Sequence, residues 1–194
     1  CLKMVAKNNQ ILSNDVLEKF PIEYFSMNTG IYYDLNREEN TEKIISHTNT
    51  ARRKAREQVD GICAYTEELA HAELLRADVL HSFQSALEKE EFILYFQPKI
   101  SGKNAEITSA EVLVRWQRAD GEIWGPNKFI SVLEECGKVE ALDFYVYEKA
   151  FQWMISRREC RTQPVTLSLN ISPFHFRDIE GFTRKLLDII NKYE

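Results

Sequence analysis

Residues 165–172, VTLSLNIS, alternate in the manner of a β-strand whose two faces cannot be exchanged. Successive strand side chains point to opposite sides. Val165, Leu167, Leu169 and Ile171 therefore share one face, and Thr166, Ser168, Asn170 and Ser172 the other. The segment ITSAEVLVRW (107–116) repeats the pattern, with Val112, Val114 and Trp116 on one side and Glu111, Leu113 and Arg115 on the other. Such strands need an apolar cover on one side only. What the polar side faces depends on the elements between them.

Those elements read as helices. NKFISVLEEC (127–136), ended by Gly137, and ALDFYVYEKAFQWMISR (141–157) have helical periodicity, and FTRKLLDIINKYE adds another helix at the C-terminus. EFILYFQPKI reads as a further strand ended by Pro98, SGKN as a turn, and DGEIWGPN as a loop punctuated by Gly and Pro. Strand, helices and a nearly continuous strand make the βαβ pattern of a parallel sheet with helices on its outer side. Upstream, an apolar start (CLKMV) precedes a helix SNDVLEKF beginning at Ser13 or Asn14. Then come a strand IEYFSMNTGIYY, a helix NTEKIISHTNTARRKAREQ with a basic end, and a short strand GICAYTEE. From Glu67 to Lys89 runs a long helix whose stripe includes Ala72, Leu75, Val79, Phe83, Ala86 and Leu87. It separates two compositionally different regions, so a domain boundary is expected within it.

If helices cover the apolar face of 165–172, the polar face looks into a barrel or the mouth of a cleft. Glu111 and Arg115 are costly to bury unless paired or coordinated. In the preceding strand Gln97 shares a face with Ile93 and Tyr95. Gln97, Glu111, Arg115 and Asn170 are thus expected on one surface near the C-terminal ends of three neighbouring strands, the end at which α/β barrels build their sites. Spacing alone leaves a second reading open, with Glu111 and Arg115 as a structural ion pair and Asn170 as a core amide satisfied by backbone. The glycosylation pattern Asn170-Ile171-Ser172 lies in an interior strand and carries no weight.

Composition sets the limits. The chain has 194 residues, 44% hydrophobic and 28% charged, enough for a core of its own. No apolar run approaches a transmembrane span and CLKMVAKNN has no signal-peptide pattern, so a cytoplasmic protein is expected, whether or not its parent is membrane-anchored. Cys1, Cys63, Cys136 and Cys160 are far apart and read as reduced thiols. The formal charge of −5 argues against DNA and general nucleic-acid binding, so a phosphate-bearing ligand must be held locally by an Arg or a metal. His47, His71, His81 and His175 are isolated in sequence and read as surface or packing residues.

YFQP (95–98), AEVLVRW (110–116), GPNKFISVLEECG (125–137), LDFYVYEKA (142–150) and LSLNIS (167–172) together resemble the first half of an EAL domain, the cyclic di-GMP phosphodiesterase family. The resemblance covers about Val79 to Glu194. FSMNTGIYY followed by NTARRKAREQVDGICAY is similar to the C-terminal part of a GGDEF domain, the diguanylate cyclase fold. The fold class implied is α/β: a partial (β/α)8 TIM-like barrel preceded by part of a GGDEF domain. The domains would be 1–70 (GGDEF-like), 67–89 (connecting helix) and 79–194 (EAL).

The resemblance implies Glu111 and Asn170 as ligands of Mg²⁺ or Mn²⁺, Arg115 as a contact to substrate phosphate and Gln97 as a second substrate contact. Hard cations favour such oxygen donors. The implied reaction is metal-dependent hydrolysis of cyclic di-GMP to linear pGpG. The alternative is an inactive module that binds cyclic di-GMP or a protein partner as a receptor. Family partners include an upstream sensory or GGDEF region and a second copy in a homodimer through the EAL domain. The motif reads E-V-L where the family has Ala, and Val112 points away from the site, so the change concerns packing. The family's later glutamate ligand, paired aspartates and lysine belong to strands past Glu194, so a longer functional protein is expected, with this piece alone poorly soluble and inactive. The GGDEF signature loop would precede Cys1, so no cyclase activity is expected of residues 1–70.

Overall fold

The computed structural model describes residues 2–20, 22–33, 40–102, 106–159 and 165–193. The chain divides into two compact units, residues 1–74 and 75–194, with the division inside one helix, α3 (Glu67–Glu88). Cys1, Cys160 and part of the SGKN turn lie outside the described residues; Cys63 and Cys136 are free thiols.

In the first unit, α1 (Leu2–Lys19) is followed by β1 (Thr29–Ile31), α2 (Thr41–Ala55) and β2 (Ile62–Ala64). β1 and β2 are parallel, Thr29 opposite Ile62 and Ile31 opposite Ala64, so β1–α2–β2 is one crossover unit. Asn40 caps α2 by accepting from the Lys43 amide at 2.8 Å. The helix buries Ala51 and Ala55. Gly30 lets it lie directly on the strand: a Cβ there would stand 2.1 Å from the Thr48 carbonyl oxygen. Two expectations need correction. α1 does not begin at Ser13 or Asn14 but runs through both, because adding a residue to an existing helix costs far less than nucleating a new one. The strand expected over 22–33 has only three residues, and 22–28 lie outside it.

The second unit contains β3 (Phe92–Ile100), β4 (Ile107–Gln117), β5 (Ile123–Trp124), α4 (Ile130–Glu135), α5 (Val139–Glu159), β6 (Thr166–Ser168) and α6 (Ile179–Lys192). β3 pairs along one edge of β4, and β5 and β6 pair with separate stretches of the other. β4 and β6 are parallel, as a connection containing two helices predicts. β3 and β4 are antiparallel, so the sheet is mixed and not wholly parallel: the short connection around SGKN can close a hairpin but not a crossover. Pro98 does not end β3. It sits inside the strand opposite Ala110, tolerated because β3 has β4 as its only strand partner among the described residues.

One face of this sheet and the surrounding helices form a single core. α3 contributes Val79, Phe83 and Ala86; the strands contribute Phe92, Val112, Trp116 and Trp124; α4, α5 and α6 add Leu133, Leu142, Tyr147 and Phe182. Trp116 and Trp124 meet edge to face at 5.6 Å. Arg118 lies over both rings, 4.6 and 4.4 Å from their centroids, and holds Asp78 of α3 with two hydrogen bonds of 2.8 and 2.9 Å. β6 is shorter than the alternation of 165–172 suggested. Leu167 and Leu169 pack on the core, but Ile171 is exposed and Ser172 buried, because the chain leaves the sheet after Ser168 and turns into a short 3₁₀ helix, Pro173–Arg177.

α4 opens from a 3₁₀ turn at Pro126–Lys128 and closes at Gly137, whose φ is +71°. The Lys138 amide bonds to the Leu133 carbonyl at 2.8 Å and the Gly137 amide to the Glu134 carbonyl at 3.2 Å, the two bonds of a Schellman cap. A Cβ on Gly137 would also meet the Phe174 ring at 2.9 Å. Gly137→Ala is therefore expected to lower stability by about 1–2 kcal/mol from backbone strain, with Phe174 crowding adding to it. Denaturant unfolding measures this, and an unchanged midpoint would contradict the cap as described.

Candidate functional site

The polar face of the sheet is assembled around Glu111. β4 places Glu111 directly opposite Gln97 of β3 on one side and Ser168 of β6 on the other. Two residues past Ser168, the chain brings Asn170 back to the same carboxylate, its amide nitrogen 3.4 Å from Glu111 Oε1. Lys99, two residues beyond Gln97 and so on its face, lies with Nζ 3.7 Å from Glu111 Oε2 and donates to Ser168 Oγ at 3.3 Å. Glu111 is one-third exposed, and Gln97, Lys99 and Asn170 are exposed. The site is an open polar surface.

Arg115 stands apart from this group. It shares the face of Glu111 but pairs with Ile93, four residues further along β4, about 13 Å at the rise of a strand. Its guanidinium donates to the Val114 carbonyl at 2.8 Å and lies 5.4 Å from the centre of the Tyr95 ring. The structure thus groups Gln97, Glu111 and Asn170 and separates Arg115. The expectation that all four gather at the C-terminal ends of their strands fails because β3 is antiparallel: its C-terminal end meets the first half of β4. The alternative of a Glu111–Arg115 ion pair is also not what forms, since Lys99 takes that place.

Glu111 and Asn170 suit a hard divalent cation. Both present oxygen donors once the amide is turned, and a positive charge, the Lys99 ammonium, already lies against the carboxylate. They supply only part of a shell of six or more oxygens, and no cluster of three or more acidic, His or Cys ligands exists among the described residues.

Behind Asn170 lies a buried polar network that the sequence did not announce. His175 is 4% exposed and bonds through Nε2 to Asp143 Oδ2 at 2.8 Å, so it is not an isolated residue. Asp143 also accepts from the Ser172 amide at 3.3 Å, while Ser172 Oγ donates to Glu134 at 2.8 Å. Burial raises the Asp143 carboxyl above its ordinary value, against hydrogen bonds from His175 and the Ser172 amide that favour its charged form. These partners come from α4, α5 and the 3₁₀ turn, and no local pattern links them. Lys99 was not singled out in the sequence either, although its spacing of two from Gln97 is a signal that could have found it.

Comparison with known proteins follows the same residues. The sequence model of the EAL domain matches residues 80–194. The cyclic di-GMP phosphodiesterase PdeR of Escherichia coli is 30% identical over 163 residues, covering 82% of this chain and 24% of PdeR. The crystal structure of the FimX EAL domain from Pseudomonas aeruginosa bound to c-di-GMP is similar at a TM-score of 0.53 and 26% identity, over 60% of this chain and 45% of that one. The S helix-GGDEF-EAL structure of LapD from Vibrio cholerae, bound to c-di-GMP, covers 99% of this chain and 44% of its own at a TM-score of 0.52 and 19% identity, a likeness of fold. The chain spans from 16% to 24% of the length of the curated relatives matched most strongly. With the match to residues 80–194 lying on the mixed sheet, on the Glu111 site and on the helices that cover them, this chain belongs to the EAL domain family.

Proposed function

We propose that this chain acts in cyclic di-GMP signalling as the first part of an EAL domain that hydrolyses the cyclic dinucleotide to linear pGpG. The observation that carries this is the meeting of Glu111 and Asn170 at 3.4 Å, with Gln97 opposite Glu111, in a member of the EAL family. PdeR, a cyclic di-GMP phosphodiesterase, and FimX, whose EAL domain binds c-di-GMP, support the choice of ligand. In hydrolysis the oxygen of water forms a bond to one phosphorus and one ester bond of the ring breaks, leaving a linear dinucleotide.

In this reading Glu111 and Asn170 hold Mg²⁺ or Mn²⁺ together with ligands from the rest of the domain. When bound, such a cation neutralises charge on the phosphoryl oxygens and lowers the pKa of water. Gln97 orients the ligand beside that centre. Arg115, whose guanidinium matches a phosphate edge, binds at the far end of the same face. Lys99 neutralises Glu111 before a cation arrives and must give way when it does.

Residues 1–70 fit the C-terminal part of a GGDEF domain, supported by the parallel β1–α2–β2 unit and the LapD likeness over 99% of the chain. The upstream region would pass its input through the helix at 67–89, and self-association through the EAL domain belongs to the same reading. No helix among the described residues is long and apolar enough to cross a membrane. A cytoplasmic location for this region is part of the same proposal.

Two variants of the intact EAL domain test the assignments. Glu111→Gln should lower metal-dependent turnover by well over a hundredfold, since losing even an outer-shell partner costs roughly 10–100-fold. Circular dichroism should be unchanged, and normal turnover would remove Glu111 from the metal site. Binding without turnover in the unaltered domain would point to the receptor alternative. Arg115→Ala should raise KM by about 10–100-fold, the loss of a charged hydrogen bond worth about 1.5–3 kcal/mol, and leave Mn²⁺ affinity intact. Calorimetry finding metal binding lost in this variant would contradict the division of roles.

A further inference from the structure

Asn170 lies outside the hydrogen-bonded ladder of the sheet, because β6 ends at Ser168. Something other than the sheet must fix where its amide points. α5 does this with two residues one turn apart. The Tyr147 hydroxyl donates to the Asn170 carbonyl at 3.0 Å, and Asp143 accepts from the Ser172 amide at 3.3 Å. Residues four apart on a helix lie on one face. They therefore grip the backbone on both sides of Ile171. Asp143 is itself held by His175, and Ser172 by Glu134, each at 2.8 Å.

We infer that Tyr147 and Asp143 are positioning residues for Asn170, setting the placement of its amide oxygen toward the cation beside Glu111; this rests on the reading of Asn170 as a metal ligand. Tyr147 is 2% exposed and its ring packs within the core, so the hydroxyl has little freedom to leave the carbonyl. The carbonyl it holds belongs to an exposed residue, which water would otherwise hydrate. The bond thus contributes mainly to position, and misplacement of a functional group by about 1 Å can cost about a hundredfold in rate.

The experiment is a double-mutant cycle on the intact EAL domain, read by Mn²⁺ titration calorimetry and by kinetics as Mn²⁺ is varied. Tyr147→Phe removes one oxygen and keeps the buried ring. It should weaken Mn²⁺ binding roughly tenfold, in the range for groups that orient a metal ligand. Saturating Mn²⁺ should restore kcat, and KM for cyclic di-GMP should stay unchanged. In an Asn170→Ala background the same substitution should have no further effect. Asp143→Asn, which can still accept from Ser172, should bind Mn²⁺ more tightly than Asp143→Ala. If Asn170→Ala weakens Mn²⁺ binding but Tyr147→Phe does not, the positioning role is wrong. An equal loss from Tyr147→Phe in both backgrounds would mean a diffuse structural effect and would also overturn it. If Asn170→Ala leaves Mn²⁺ affinity unaltered, the ligand reading itself fails and this inference falls with it.

Discussion

β4 is the constraint on which the second unit is built. It is paired along both edges, and its two faces have opposite requirements. Val112 and Trp116 are buried under the helices, while Glu111 and Arg115 lie on the other face. A slip of one residue in register would turn the carboxylate and the guanidinium into the core and expose both apolar groups. Fixing the core therefore fixes the site: the contacts that bury Trp116 are the same contacts that aim Glu111 outward beside Gln97 and Ser168. Arg118 reinforces this register from the end of the strand, lying over two indoles and tied to Asp78.

Much of this was legible because alternation is a local property. The faces of β4, the placement of Leu167 with the core and the stop at Gly137 follow from residues next to each other in sequence. The direction of β3 has a local signal too, since SGKN is too short for a crossover, and that direction sets Gln97 beside Glu111 and away from Arg115, against the expectation of one common end. Other features had no local signal. His175 and Asp143 are 32 positions apart and meet only because α5 packs beside the turn after β6. The end of β6 at Ser168 was hidden by an alternation that continues for four more residues without a partner strand among the described residues.

The two polar layers behind and in front of Asn170 differ in kind. In front, Glu111, Lys99, Gln97 and Asn170 are open to solvent and loosely spaced, as suits groups that must exchange partners when a ligand arrives. Behind, Tyr147, Ser172 and His175 are nearly closed to water and each is hydrogen-bonded. Buried polar groups left unpaired cost far more than exposed ones, so the rear layer is rigid where the front layer is adaptable.

The space left by Gly137 extends into this rear layer, since the ring that fills it belongs to Phe174, two residues after Ser172. The end of α4 and the turn that follows Asn170 therefore occupy one shared volume. Over evolutionary time these two positions are not free to vary independently. A lineage that acquires a side chain at the helix end must reduce or redirect the aromatic ring, and one that enlarges the ring must keep the glycine, so positions 137 and 174 should covary among homologous sequences although neither belongs to the Glu111 site.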